Sequence, residues 1–353
     1  MENHILSDGT ILPLLVFPLL EDSGIVRHGF TTRLGGVSEG IFASLNLSFT
    51  RGDDPDHVME NYCRLADALD VDLNRIVCSD QTHTTNVRVV TEADAGKGVT
   101  RPRDYTDVDG LITNVPGLTL ATFYADCVPL YFVDPAHRAI GLSHSGWRGT
   151  VARMGEKTLQ AMAEQYGTRP EDVFCAIGPS ICRDCYEVSA DVAEAFAREF
   201  AGHEAEIIKL REIAGHNVEI PESWEFAGYE TEIIRLQEYC AKTGYAGKES
   251  ETFPDRKNEE EVKNDNTAMT SLSADAIRRA SEDRKYQLDL WKANEIVLLE
   301  AGVLREHLSV TELCTCCNPD LLFSHRASHG RRGNLGAFLS LRECTDESGN
   351  NDL

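Results

Sequence analysis

The chain has 353 residues, 42% of them hydrophobic, enough to bury a large core in one big domain or two ordinary ones. Its formal net charge of -24 sets 58 acids against 34 Lys and Arg, which leaves no concentrated basic face of the kind a nucleic-acid partner requires. The apolar stretch 11–20 is short, holds Pro13 and Pro18 and has no basic run before it, so neither a membrane span nor export is expected, and the cytoplasm is the expected location.

In chain order, residues 24–48 read GIVRHGFTTRLGGVSEGIFASLNLS. Turns at Gly35-Gly36 and Gly40 frame a loop that carries Arg33, a residue suited either to a surface loop or to an anionic group. Leu45-Asn46-Leu47 then alternates like a short strand presenting Asn46 on one face. Residues 55–69 carry apolar positions at helical spacing and predict a scaffold helix. Residues 75–90 (RIVCSDQTHTTNVRVV) predict two β-rich arms around a turn that holds His83. Asp109-Gly110 is a turn signal ahead of a short strand, and a structural role suffices for Asp109 unless it lies beside the stretch that follows.

That stretch is 118–149, LTLATFYADCVPLYFVDPAHRAIGLSHSGWRG. Two apolar runs, 118–133 and 139–144, flank the turn-forming residues 134–138 and predict a hairpin whose two arms bring Cys127 nearly opposite His144. A thiol and an imidazole sharing one end of a hairpin fit a metal site, a nucleophile with its base, or ordinary packing. Residues 150–166 predict a helix, which puts Gly146-Trp147-Arg148-Gly149 at a strand-to-helix junction where backbone N–H groups and Arg148 favour an anion.

A buried strand at 173–177 and a helix at 189–200 follow. From 204 to 284 charged and polar residues dominate, predicting an insertion, partly helical around 231–240 and otherwise flexible. Globular patterning returns with a helix at 286–304 ended by Gly302, then short strands at 321–324 and 337–341 around Arg326, a second anion-binding candidate. The division expected is one catalytic domain from 1–203 and 285–345, the insertion 204–284, and a disordered tail 346–353. Eleven cysteines, an odd number without small-scaffold spacing, are expected mostly as free thiols. Cys182-x-x-Cys185 and Cys314-x-Cys316-Cys317 hold enough sulfur for a zinc ion, but C-x-C-C is not the paired spacing of a zinc ribbon.

Three stretches each end a strand with a metal-type donor: Gln81-Thr82-His83, Ala125-Asp126-Cys127 and Ser143-His144-Ser145. Two imidazoles and a thiolate are a zinc set with an open fourth position, the arrangement catalysis needs. With HGFTTRLGGVSEG, SLNLS, QTH, DVDG, YADCVPL, HSGWRG, AIGPSIC, DLWKAN and LFSHR in order, the chain resembles the YfiH/LACC1-like proteins, once called multicopper polyphenol oxidases and now described as purine nucleoside phosphorylases. The resemblance covers nearly the whole chain outside 204–284. It implies an α/β (α+β) fold, a four-layer α/β/β/α sandwich like the catalytic domain of a bacterial cytotoxic necrotising factor, with one zinc per chain on His83, Cys127 and His144. It also implies phosphorolysis of adenosine, inosine, guanosine and methylthioadenosine, with deamination of adenosine; bacterial relatives have been assigned an amidase role on a peptidoglycan precursor.

Purine nucleosides and phosphate are thus the expected partners, without nucleic acid or membrane, for a monomer or small homo-oligomer. Zinc would lower the pKa of bound water for deamination, with Asp126 shuttling the proton. Arg148, Arg33 and Arg326 are candidates to neutralise phosphate, and Asn46 to hydrogen-bond ribose or base. Copper is not expected, since no His-x-His pair occurs among the 11 histidines. Two rivals remain: a metal-free cysteine hydrolase with Cys127 attacking and His144 as base, and a non-enzymatic zinc or partner-binding module whose working surface is the charged insertion.

Overall fold

A computed structural model describes residues 1–210 and 285–343. The first strands are β1 (Glu2–Ile5) and β2 (Ile11–Leu15), then α1 (Pro18–Glu21) and β3 (Val26–Thr31). Helix α2 (Pro55–Leu69) starts where the Asp54 side chain accepts the Asp56 N–H, has Pro55 in its first turn, and stops at Asp70 in the left-handed conformation. Next come β4 (Ile76–Cys78), β5 (Val87–Val89), β6 (Gly110–Thr113), β7 (Thr119–Tyr124), β8 (Val128–Asp134) and β9 (Ala139–Ser145). Helices α3 (Trp147–Val151) and α4 (Met154–Tyr166), strands β10 (Phe174–Ile177) and β11 (Glu187–Ser189), and helices α5 (Ala190–Glu199) and α6 (Glu204–Ile207) continue to β12 (Ile208–Leu210). Beyond residue 284 lie β13 (Lys285–Leu288), α7 (Leu290–Glu300), β14 (Leu308–Val310) and β15 (Leu335–Leu341).

Two six-stranded sheets form the body, in the orders β1-β2-β3-β15-β7-β4 and β14-β10-β8-β9-β6-β5. The period-2 alternation of their sequences decides the layering. In β8, Tyr131 and Val133 join Leu120 of β7 and Leu339 of β15 in a core between the sheets, while Leu130 and Phe132 face outward toward Leu159 of α4 and Leu298 of α7. On the far side Val58, Tyr62 and Leu65 of α2 cover Leu14, Ala121 and Phe338 of the first sheet. The result is helix, sheet, sheet, helix, the four-layer α+β sandwich expected. A third sheet, β11-β13-β12, packs beside α5.

Several elements differ from the sequence reading. The run 118–133 is two strands: Asp126, with φ at +86°, turns the chain so that β7 enters one sheet and β8 the other. Residues 45–47 are no strand; Leu45, Asn46 and Leu47 are all buried in a loop, so both faces of the apparent alternation are inside. The stretch 321–324 is a turn, and 286–288 is strand β13, with the helix beginning only at Leu290 behind an Asp289 cap. The helix expected from 150 begins at Trp147 and is interrupted at Arg153, whose φ is +60°. Residues 204–210 form α6 and β12, with Ile207 fully buried in the core. The rest of the expected insertion, including its 231–240 helical patch, and the 346–353 tail lie outside the described residues. Among the described residues no helix is long and apolar enough to cross a membrane.

Candidate active site and metal centre

The site sits where the two sheets meet at the β7–β8 corner. Val128 pairs with Ser145 and Pro129 with His144, so Cys127 emerges just past the paired end of the hairpin, diagonal to His144 and not directly opposite it. His83 arrives from the loop after β4, its backbone in the left-handed conformation (φ +67°). The donor atoms of His83, Cys127 and His144 lie within 4.8 Å of one another, with Cys127 Sγ 4.0 Å from His83 Nε2.

Asp109 holds this geometry. One oxygen accepts the backbone N–H of Thr82 and Thr84 at 3.0 and 2.9 Å; the other accepts the N–H of His83 at 3.1 Å and bonds His144 Nδ1 at 2.7 Å. A single buried carboxylate therefore fixes the loop that carries one imidazole and orients the other, leaving His144 Nε2 as its remaining ring nitrogen. Asp109 is buried, yet His144 and the Thr84 and Thr82 N–H groups hold its carboxyl below the ordinary range. Burial opposes ionisation of Cys127, but His144 and His83 outweigh it and bring the thiol down to about 6. His144 is raised in turn, against burial, by Cys127 and Asp109.

Gly146 leaves the donors their room. A Cβ there would stand 2.9 Å from His83 Cδ2 and 3.1 Å from Cys127 Sγ, inside normal contact with both. Three convergent N and S donors, an imidazole locked by a carboxylate and a cleared space beside them can bind a metal ion. The donors open into a cavity of about 1010 Å³ whose wall includes Phe49, Arg51, Tyr186, His325, Arg326 and Arg332.

The other expected site residues divide. Asp126 and Arg326 line the cavity. Asp126, however, is committed on both oxygens, one to Thr315 Oγ1 and one to the Arg326 backbone N–H, each at 2.7 Å, so it ties loops together beside Cys127. The Arg326 guanidinium donates to the carbonyls of Cys185 and Glu187 at 3.4 and 2.8 Å and lies over the Tyr186 ring. Arg148, Arg33 and Asn46 are not in the cavity wall. Arg148 is exposed and stacks on the ring of its own neighbour Trp147. Arg33 is spent on the carbonyls of Ala43 and Pro319, pinning two loops together over Phe323. Asn46, fully buried, donates to Asp53 and the Ser48 carbonyl and accepts from Ser48 and Asn334.

Of the charged wall residues that the sequence reading left unassigned, Asp80 and Arg103 pair with each other and Arg101 donates to the Ala95 carbonyl, which leaves Arg332 and Arg51. Arg332 is 9% exposed, its Nε has no partner, and burial, then repulsion from Arg51, lowers its pKa to about 10. Their only sequence signal is the basic run 331–332 and one arginine after a Ser-Phe-Thr stretch, neither of which announces a cavity.

A protein-family model described as multi-copper polyphenol oxidoreductase laccase matches residues 27–239 and 255–342. The chain belongs to this family. Purine nucleoside phosphorylase YlmD of Bacillus subtilis is 30% identical over 323 residues, 90% of this chain and 90% of its own. Adenosine deaminase RL5, from an unknown prokaryotic organism, is 36% identical over 48% of this chain and 66% of its own length. Among solved structures, the YfiH protein of Bacillus licheniformis superposes with a TM-score of 0.69 at 26% identity, covering 96% of this chain and 99% of its own, and carries the same sandwich. The family's description points to copper, whereas the donor set at the β7–β8 corner is two imidazoles and one thiol.

Proposed function

We propose that the chain is a zinc-dependent purine nucleoside phosphorylase, releasing purine and ribose 1-phosphate, with an accompanying adenosine deaminase activity. The observation that carries this reading is the open donor triad at the floor of a cavity whose wall holds Arg332 beside Arg51. Zinc held by His83, Cys127 and His144 would supply a Lewis acid with a position open to water or substrate. The names of the relatives, purine nucleoside phosphorylase and adenosine deaminase, support the same substrate class.

The chain's own residues suit that chemistry. Phosphorolysis moves the ribosyl C1′ from a purine nitrogen to a phosphate oxygen, so an anion must be held against the sugar. Two arginines of like charge, one of them nearly buried, are unfavourable until an oxyanion sits between them, and guanidinium forks match its geometry. Phe49 and Tyr186 line the same space and supply aromatic surface for a purine. Asp109 acts through His144, keeping its ring oriented. Asp126, with both oxygens engaged, positions the Arg326 loop.

The test is metal-quantified protein given adenosine with and without phosphate. Adenine and ribose 1-phosphate only when phosphate is present, and inosine in its absence, is the expected result; no product in either arm sinks the reading. A second reading rests on one observation: Cys127, His144 and Asp109 also line up as thiol, imidazole and carboxylate, the order of a cysteine hydrolase or amidase. Activity that survives complete chelation, together with a trapped Cys127 adduct, would favour it.

A further inference from the structure

We propose that Cys182, Cys185, Cys314 and Cys317 form a second metal site, a structural zinc held by four thiolates. Their sulfur atoms lie within 4.8 Å of one another, with Cys317 Sγ 4.0 Å from Cys182 Sγ and 3.4 Å from Cys185 Sγ. Zinc–sulfur bonds of about 2.3 Å in a tetrahedron place sulfurs roughly 3.8 Å apart, so the four need only small movements to bind. Cys185 and Cys317 are too far apart for a sulfur–sulfur bond of about 2.05 Å.

The spacing that argued against such a site reads differently once folded. In Cys314-Thr315-Cys316-Cys317, Cys316 packs against the apolar core, and Cys314 with Cys317 is itself a C-x-x-C pair. Cys182 and Cys185 occupy a single 3-10 turn, in which the Cys185 and Tyr186 N–H groups donate to the Cys182 carbonyl. The two turns face each other because the chain bridges at Ser180 and Cys314, with Thr315 N–H donating to Ser180 O at 3.0 Å. Backbone N–H groups of Cys182 and Cys317 both point at Cys314 Sγ, 3.3 Å each, the environment that favours a thiolate over a thiol. Four protein donors leave no open position, which makes the site structural.

Its placement gives it a purpose. Tyr186 follows the first knuckle directly and lines the cavity, and the carbonyls of Cys185 and Glu187 hold the Arg326 guanidinium. Thr315, inside the second knuckle, donates to Asp126 beside Cys127. A metal here fastens together the two loops that form one wall of the cavity.

Metal analysis of the full chain, purified under reducing conditions, tests this directly. About two zinc per chain is expected, falling to one in Cys314→Ser/Cys317→Ser and to one in His83→Ala. Because the double cysteine variant can fail to fold, the His83→Ala protein, with all four thiols intact, is also reconstituted with Co²⁺. Intense thiolate-to-cobalt charge transfer with tetrahedral d–d bands supports the tetrathiolate, and its absence overturns it. One zinc per chain that disappears in His83→Ala, iron in place of zinc, or a disulfide among these four cysteines in alkylated, unreduced protein would each overturn the proposal. None of these readouts depends on nucleoside turnover, so the site stands or falls apart from the proposed activity.

Discussion

Asp109 anchors both the His83 loop and the His144 ring, and its loss should be felt at the metal before it is felt in the fold. The Asp109→Asn substitution presents an amide N–H₂ where backbone N–H groups or His144 now find an acceptor, so the ring and the His83 loop lose their common anchor. Metal affinity measured by chelator competition is expected to fall 10- to 100-fold, roughly the scale of lost outer ligand support; affinity unchanged would mean that the three donors hold themselves in place. The arginines divide in the same way. Arg332→Ala should raise the phosphate KM on the order of tenfold, the loss of one charge-assisted contact, while Arg148→Ala, outside the cavity wall, should leave it where it was. A raised phosphate KM in Arg148→Ala would restore that residue to the phosphate site. At this scale the sequence exposed His144 and Cys127 best, because the 134–138 turn sets them near one end of a hairpin, and His83, in a turn between two β-rich arms, stood out as a third donor of the same kind. Asp109 was hidden by Asp-Gly, which any turn would explain. Arg33 and Asn46 misled for a physical reason: a buried polar side chain that satisfies loop carbonyls looks the same in sequence as one that awaits a ligand.

Between elements, the decisive event is the corner at Ala125-Asp126-Cys127. An apolar run of the length 118–133 reads as one strand, and only the left-handed residue at Asp126 reveals that the chain crosses from one sheet to the other. That crossing places Cys127 on the seam, within reach of a loop from the first sheet and a strand end from the second. Gly146, across the ladder from it, has φ of −76° and ψ of 179°, which any residue can adopt, so its lack of a side chain is needed for space and not for backbone freedom. Gly146→Ala is therefore expected to fold, with a melting temperature close to that of the chelated parent, and to lose metal, since the new methyl stands 2.9 Å from His83 Cδ2. Full metal occupancy in this variant would show that the donors can shift aside and that the clearance is incidental. The unbroken apolar runs of β8, β9 and β10, buried on both faces, made those strands legible in advance, whereas the loop 45–47 imitated an alternating strand although all three residues are buried.

At the scale of the whole molecule, His28 links stability to pH. It is 6% exposed, its Nε2 accepts the Phe17 N–H, and burial with the nearby Arg342 charge lowers its pKa to about 4 from 6.5. Only the neutral ring fits, so the unfolded chain takes up a proton that the folded one refuses between those values. Stability from this group is complete above pH 6.5 and is lost as pH falls toward 4, about 3 kcal/mol in all. Urea melts of chelated protein should lose stability across that window, and His28→Gln should flatten the slope by about one proton; identical slopes would assign the loss to other groups.

The last question at this scale is what residues 211–284 contribute. Leu210 of β12 pairs with Tyr286 of β13 in antiparallel register, so the two ends of the described body are already the arms of a hairpin. An Asn-Gly turn in place of 211–285 makes Leu210 and Tyr286 the flanking pair of a two-residue hairpin and keeps that register. The residues that carry the site, His83, Asp109, Cys127, His144 and Arg332, all come from elsewhere in the chain. The shortened chain is expected to keep its zinc and to cleave nucleosides with the kcat of the full chain. Full metal content with phosphorolysis abolished would instead place part of the substrate site in 211–285. Metal retained in a full chain that never turns over nucleosides would turn attention to the charged segment as a binding surface. Each outcome is read from the same two preparations, by metal analysis and by release of ribose 1-phosphate.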